Sequence, residues 1–121
     1  MESVEDKITD IRTIFRTHNF EKFYNSLDDK VRDKFEYTFG LVQTIYALPI
    51  KYVKHLSGTD LYEMRVSVGS NEYRTVLFAI DNENVILSTK IILLNGFLKK
   101  STKDYEKQIA KAVQILKELA L

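Results

Sequence analysis

Glu63, Arg65 and Arg74 are the side chains whose types and spacing suit them to act on a phosphate. From Leu61 to Val68 the residues alternate as in a half-buried strand. Tyr62, Met64, Val66 and Val68 take one face; Leu61, Glu63, Arg65 and Ser67 take the other. Gly69-Ser70-Asn71 is a turn signal, and residues 72–80 read as the partner strand. A two-residue turn, at Gly69-Ser70 or at Ser70-Asn71, pairs odd-numbered residues of the first strand with even-numbered residues of the second. Arg74 then shares a face with Glu63 and Arg65. A three-residue loop would send it to the Met64 side, because a one-residue slip inverts every side chain. Two-residue hairpins are common, and glycine at the first central position suits a type II′ turn. The expectation is one face carrying Glu63, Arg65 and Arg74.

Such a face suits RNA cleavage. The ribose 2′-OH attacks its own phosphate, so the protein need not supply the nucleophile. It must align the bond, take a proton, stabilise the phosphorane and protonate the leaving oxygen. Arginine clamps phosphate bidentately, and lysine acts as a point charge. Arg65 and Arg74 are the candidate clamps, Glu63 a base or orienter, and Lys99 and Lys100 a source of charge and of an acid. Lys99, Lys100 and Lys103 follow the last strand and lead into a helix start, a ready anion site. Tyr73 or Phe97 could stack on a base. The plainer alternatives are a surface Glu–Arg cross-strand pair, worth about 0.2–1 kcal/mol, and a solvated basic loop.

Other chemistries have less support. With no cysteine there is no disulfide framework, thiolate nucleophile or Cys-containing metal site. His18 and His55 lack partners at metal-ligand spacing, so neither metal nor cofactor is expected. Phosphate-cradling glycine loops and nucleophile elbows are absent. The net charge of +1 hides an asymmetry. Residues 1–48 hold seven Lys/Arg against nine Asp/Glu, residues 49–103 eight against five, and residues 104–121 three of each. The excess positive charge lies where a polyanion would be held.

The elements that must position these residues follow from periodicity. At 121 residues the chain is expected to be a single domain, 1–121. Residues 4–17 fit either a helical stripe (Val4, Ile8, Ile11, Phe15) or, over Ile11 to Arg16, a short strand rich in β-branched and aromatic residues. Asn19 is the expected cap of a first helix, and Ser26 with Asp29 marks a second start. Val31, Phe35, Phe39 (or Thr38), Val42 and Ile45 form an apolar stripe that Pro49 should end. Residues 50–60 read as a connector, Val85 to Leu94 as a third strand, and Ser101 or Thr102 as the cap of a last helix. Ile109, Val113, Leu116 and Leu119 (or Ala120) are its expected buried stripe, and the first three should share one core with Val31, Phe35, Val42, Met64, Val66 and Leu77. The predicted fold is α+β: N-terminal helices on one face of a small antiparallel sheet, plus a C-terminal helix. The other face is left as a partly open groove. No apolar run reaches membrane-spanning length, and the acidic N-terminus lacks a signal-peptide pattern. With the absent cysteines, this points to the cytoplasm.

Four motifs in order carry a resemblance: Leu-Pro, Lys-x-x-Lys-x-Leu, Leu-Tyr-Glu-Met-Arg with Tyr-Arg, and Asn-Gly-Phe-Leu-Lys-Lys. Together they resemble the RelE/HigB superfamily of toxin–antitoxin toxins, in its phage-derived HigB-like branch, over roughly residues 20–113. The resemblance implies a RelE-like fold and a metal-independent, ribosome-dependent mRNA endoribonuclease. It implies a cognate antitoxin, a small helix-turn-helix protein through which alone operator DNA would be met. By motif, Arg74 resembles the phosphate-binding arginine and Arg65 a second basic residue of the sheet face. Lys99 and Lys100 resemble the basic cluster after the last strand, and Lys54 an RNA-contacting residue of the connector. The chain departs from the pattern in a longer last strand, in Asp104-Tyr105 where a proline is usual, in lacking a C-terminal histidine, and in a pI of 7.9. A non-catalytic module of the same fold, directed at gyrase or bound only by its antitoxin, is the alternative.

Overall fold

The computed structural model describes residues 10–121. In chain order these form β1 (Thr13–Arg16), α1 (His18–Asn25), α2 (Asp29–Thr44), β2 (Val53–His55), β3 (Leu61–Val68), β4 (Asn71–Ala79), β5 (Lys90–Leu98) and α3 (Thr102–Leu119). The five strands make one sheet in the order β1-β5-β4-β3-β2. Strands β2 to β5 pair antiparallel, as expected of strands joined by short turns; β1 lies parallel to β5 on the outside. The ambiguous N-terminal segment is thus a strand over Thr13–Arg16, while the helical reading of Val4 and Ile8 falls outside the described residues. The connector hides a further strand, β2.

Polar side chains set the helix starts. Thr17 Oγ1 accepts from the Phe20 N–H at 3.0 Å, so Thr17, not Asn19, caps α1. Asp28 does the same for α2 through the Val31 N–H, so the cap lies two residues after the expected Ser26. Ser101 caps α3 as expected. Helix α2 stops at Thr44, well short of Pro49, with Ile45 already extended and exposed.

Arg12 accounts for that early stop. It is fully buried, and among the described residues no carboxylate pairs with it. Its five N–H groups meet five backbone carbonyls: Val42 and Ile45 from Nη1, Tyr46 and Ile86 from Nη2, and Val85 from Nε, at 2.6–3.2 Å. A guanidinium has five donors in a fixed fork, so every one is used. It terminates α2, where carbonyls lack partners and cations are favoured, and ties this end to the loop before β5. That loop replaces the first half of the strand expected from Val85. Asp81 accepts from the N–H groups of Thr89 and Lys90 and from the Ser88 and Thr89 hydroxyls, so pairing resumes only at Lys90. Those bonds hold the Asp81 carboxyl below its ordinary range.

The core is double. Phe20, Val31, Phe35, Phe39 and Val42 pack with Met64, Val66, Tyr73 and Leu77 on one sheet face. On the other, Leu61, Val76, Leu94 and Phe97 pack with Ala112 and Ile115 of α3. The single expected core is therefore divided by the sheet: Ile109, Val113 and Leu116 flank the second cluster, and Leu119 is exposed. The groove expected on that second face is partly roofed by α3. Within Asn95-Gly96-Phe97 every residue packs. Asn95 donates to the Gln108 carbonyl at 3.1 Å, Phe97 joins the α3 cluster, and Gly96 lies under the Phe23 ring, where a Cβ would collide.

Candidate functional site

The β3–β4 hairpin closes through Gly69-Ser70, with Val68 opposite Asn71 and Gly69 at a φ of 61°. That first-position positive φ suits glycine. The register puts Arg65 directly opposite Arg74, and Glu63 opposite Val76, on the face that α3 partly covers. The three expected residues thus stand together.

They stand closer and deeper than a surface pair. Arg74 Nε lies 3.1 Å from Glu63 Oε2, and Arg65 Nη2 lies 3.6 Å from Glu63 Oε1. Side-chain exposure is 4% for Glu63, 6% for Arg74 and 28% for Arg65. Arg74 Nη1 also donates to the Tyr73 carbonyl at 3.0 Å and lies 3.4 Å from Glu72 Oε1. Glu72 is held below the usual carboxylate range, first by a hydrogen bond from Ser67 and then by Arg74 and Lys99. The cluster is crowded but incompletely hydrogen-bonded: among the described residues Glu63 Oε2, Arg65 Nε and Arg74 Nε are buried without a hydrogen-bond partner of good direction. Buried polar atoms in that condition are uncommon and mark strained or functional positions.

Tyr105 is the member that the sequence reading missed. From the first turns of α3 its hydroxyl donates to Glu63 Oε1 at 2.7 Å. Burial, then the Glu63 bond, push its pKa up to about 12, against the pull of Arg74 and Arg65. The signal was present: Tyr105 precedes Ile109 by four and Ala112 by seven, the spacing of the face that packs on the sheet.

Basic residues rim this centre. Lys54 on β2 is opposite Glu63 and exposed. Lys99, Lys100 and Lys103 are exposed around the start of α3; the Lys99 ammonium sits 5.6 Å from the Tyr105 ring centre. The two expected stacking rings are not available. Tyr73 turns to the opposite face and packs against Phe35, with ring centres 6.0 Å apart. Phe97 is buried against Tyr105 at 5.9 Å. Alternation puts Tyr73 under α2, and the roof of α3 covers Phe97.

A family model described as "Phage derived protein Gp49-like (DUF891)" matches residues 22–117. The chain is a member of this RelE/HigB-type toxin family. Among solved structures, a mutant of the E. coli toxin RelE in the free state superposes with a TM-score of 0.60. It is 16% identical and covers 86% of this chain and 96% of its own. This likeness shows a RelE-like α+β fold. No curated protein sequence matches the chain. The match to the Gp49-like family spans every residue of the cluster around Glu63 and all four rim lysines. Among the described residues no helix is long and apolar enough to cross a membrane.

Proposed function

We propose that this Gp49-like chain is a ribosome-dependent mRNA endoribonuclease, acting in the cytoplasm and restrained by a cognate antitoxin, a small helix-turn-helix protein that alone links it to operator DNA. The observation that carries the reading is the Arg65–Arg74 pair. The two arginines are directly opposed across β3 and β4 and converge on the one carboxylate of Glu63, at 3.6 and 3.1 Å. A bridging phosphate oxygen is an acceptor suited to such donors. Arg65, the more exposed, meets the phosphate; Arg74 backs it. As the 2′-oxygen bonds to phosphorus, its proton passes to Glu63. As the bond to the 5′-oxygen breaks, Tyr105 or Lys100 supplies the proton to the leaving group. A 2′,3′-cyclic phosphate and a 5′-hydroxyl remain. A Tyr105 pKa of about 12 keeps the phenol protonated at neutral pH, as an acid must be. Lys54, Lys99 and Lys103 hold flanking phosphates.

The burial of Glu63 and Arg74 beneath Tyr105 favours the second reading, a non-catalytic module directed at gyrase or at an antitoxin alone. Arg65→Ala separates the two. In the nuclease, cleavage on translating ribosomes should fall by about 10²–10³, while stability changes by about 1 kcal/mol or less because the side chain is partly exposed. Expression of the wild type in a bacterium should be toxic, and a co-expressed antitoxin should relieve it. Full cleavage by Arg65→Ala would overturn the assignment. Folded wild type that neither cleaves nor harms would leave the binding module.

A further inference from the structure

We propose that a groove between α2 and the outer edge of β3 is a second contact for single-stranded RNA, continuous with Arg65. The inference rests on the nuclease reading for its substrate, but not for its geometry. Strand β2 pairs with β3 only over Tyr62–Met64. The Arg65 N–H still reaches the Tyr52 carbonyl at 2.8 Å; beyond it no strand among the described residues covers β3. By the two-residue period, the Ser67 backbone groups point the same way as those of Arg65, into the groove.

Two cavities fill that space. One, of about 390 Å³, lies between Lys30, Lys34 and Tyr37 of α2 and the hairpin end of β3. The other, of about 210 Å³, is walled by Lys51, Tyr52 and Arg65. Lys34 and Ser67 belong to both walls, so the two form one path that ends at Arg65. Four of these side chains are cationic and one, Asp33, is acidic. The aromatic rings are set for stacking on a polyanion's bases. Tyr37 is 58% exposed with the Lys34 ammonium 5.5 Å from its ring centre, and Lys51 lies 5.5 Å from that of Tyr52. Lysines alternating with tyrosine faces are how single strands are held without sequence readout: charge follows the backbone while rings take bases. Tyr73 and Phe97 cannot stack from within the core; Tyr37 can, from the surface. A protein strand on the open β3 edge would use the backbone groups but has no need of an exposed Tyr37.

The test uses the whole chain and a short fluorescein-labelled oligouridylate, 2′-O-methylated so that it cannot be cleaved. Anisotropy titrations across a salt series compare wild type with Tyr37→Ala, Tyr37→Phe and Lys34→Ala/Lys51→Ala, and ribosome-dependent cleavage is measured alongside. Tyr37→Ala should weaken binding about tenfold and Tyr37→Phe restore it, as loss of one stacked base requires. The double lysine variant should flatten the slope of log affinity against log salt by about 1.4, two phosphates on a single strand. Unchanged binding by Tyr37→Ala would overturn the proposal, even if salt dependence fell. Tighter binding of an oligoglutamate peptide, indifferent to Tyr37, would overturn it in favour of a protein strand. Cleavage by wild type with groove variants that bind normally would remove the groove and leave the nuclease. Tyr37-dependent binding without cleavage would do the reverse.

Discussion

Arg65 and Arg74 are directly opposed across the β3–β4 hairpin, and one carboxylate, Glu63, reaches both. Like charges in that position repel, so Glu63 is the counterion that lets the pair exist in a buried site. Glu63→Gln leaves the buried Arg74 with Glu72 alone, at 3.4 Å, and should destabilise the fold by less than the cost of a buried charge left wholly unpaired, about 3–5 kcal/mol. It should also turn the arginines into a better anion site. Thermal melts with added inorganic phosphate should recover more stability in Glu63→Gln than in wild type. An equal response in both would mean that the arginines do not present a common anion site.

Tyr105 and Glu63 link α3 to the sheet, and the link depends on pH. The Tyr105 pKa is raised to about 12 from an ordinary value near 10. The folded state therefore binds the phenolic proton more tightly than the unfolded chain. Its contribution to stability is complete below pH about 10 and is lost as pH rises towards 12. Tyr24, held by Glu36 at 2.7 Å and also raised to about 12, acts in the same window. Melting temperatures between pH 9 and 12 should fall less steeply in Tyr105→Phe than in wild type, and least in the double variant with Tyr24→Phe. Identical slopes would show that neither hydroxyl is coupled to folding.

Arg12 should be among the least replaceable residues of the chain. Arg12→Lys keeps the charge but cannot meet five carbonyls, and Arg12→Met meets none. Each buried carbonyl left without a donor costs about 1–3 kcal/mol. Urea unfolding should show a loss of about 3 kcal/mol or more for either change. A loss under 1 kcal/mol would mean that the end of α2 is stable without it.

Gly96→Ala places a methyl group against the Phe23 ring. Overpacking of this kind costs about 1–3 kcal/mol. Phe23→Leu gives the methyl room, so the double variant should be more stable than the sum of the single losses implies. Additive losses in a double-mutant cycle would assign the glycine requirement to the backbone.

Strict alternation over Leu61–Val68 and the glycine of a two-residue turn determined the β3–β4 register, and with it the meeting of Glu63, Arg65 and Arg74. Both signals are local, so sequence alone carries them. The first two caps each moved by two residues because neighbouring Thr17, Asn19, Ser26 and Asp28 are all competent, and only packing selects among them. The end of α2 and the start of β5 were not legible. Both hang on Arg12 and Asp81, whose partners are mostly backbone carbonyls and N–H groups, and these have no residue identity. Burial of the site was decided by tertiary structure alone. Periodicity placed Arg74 on a face, but the docking of α3 determined that Tyr105 would close over it and that Phe97 would be lost to the core. A helix's apolar stripe says that it must be covered; which sheet face it covers depends on connections far apart in sequence.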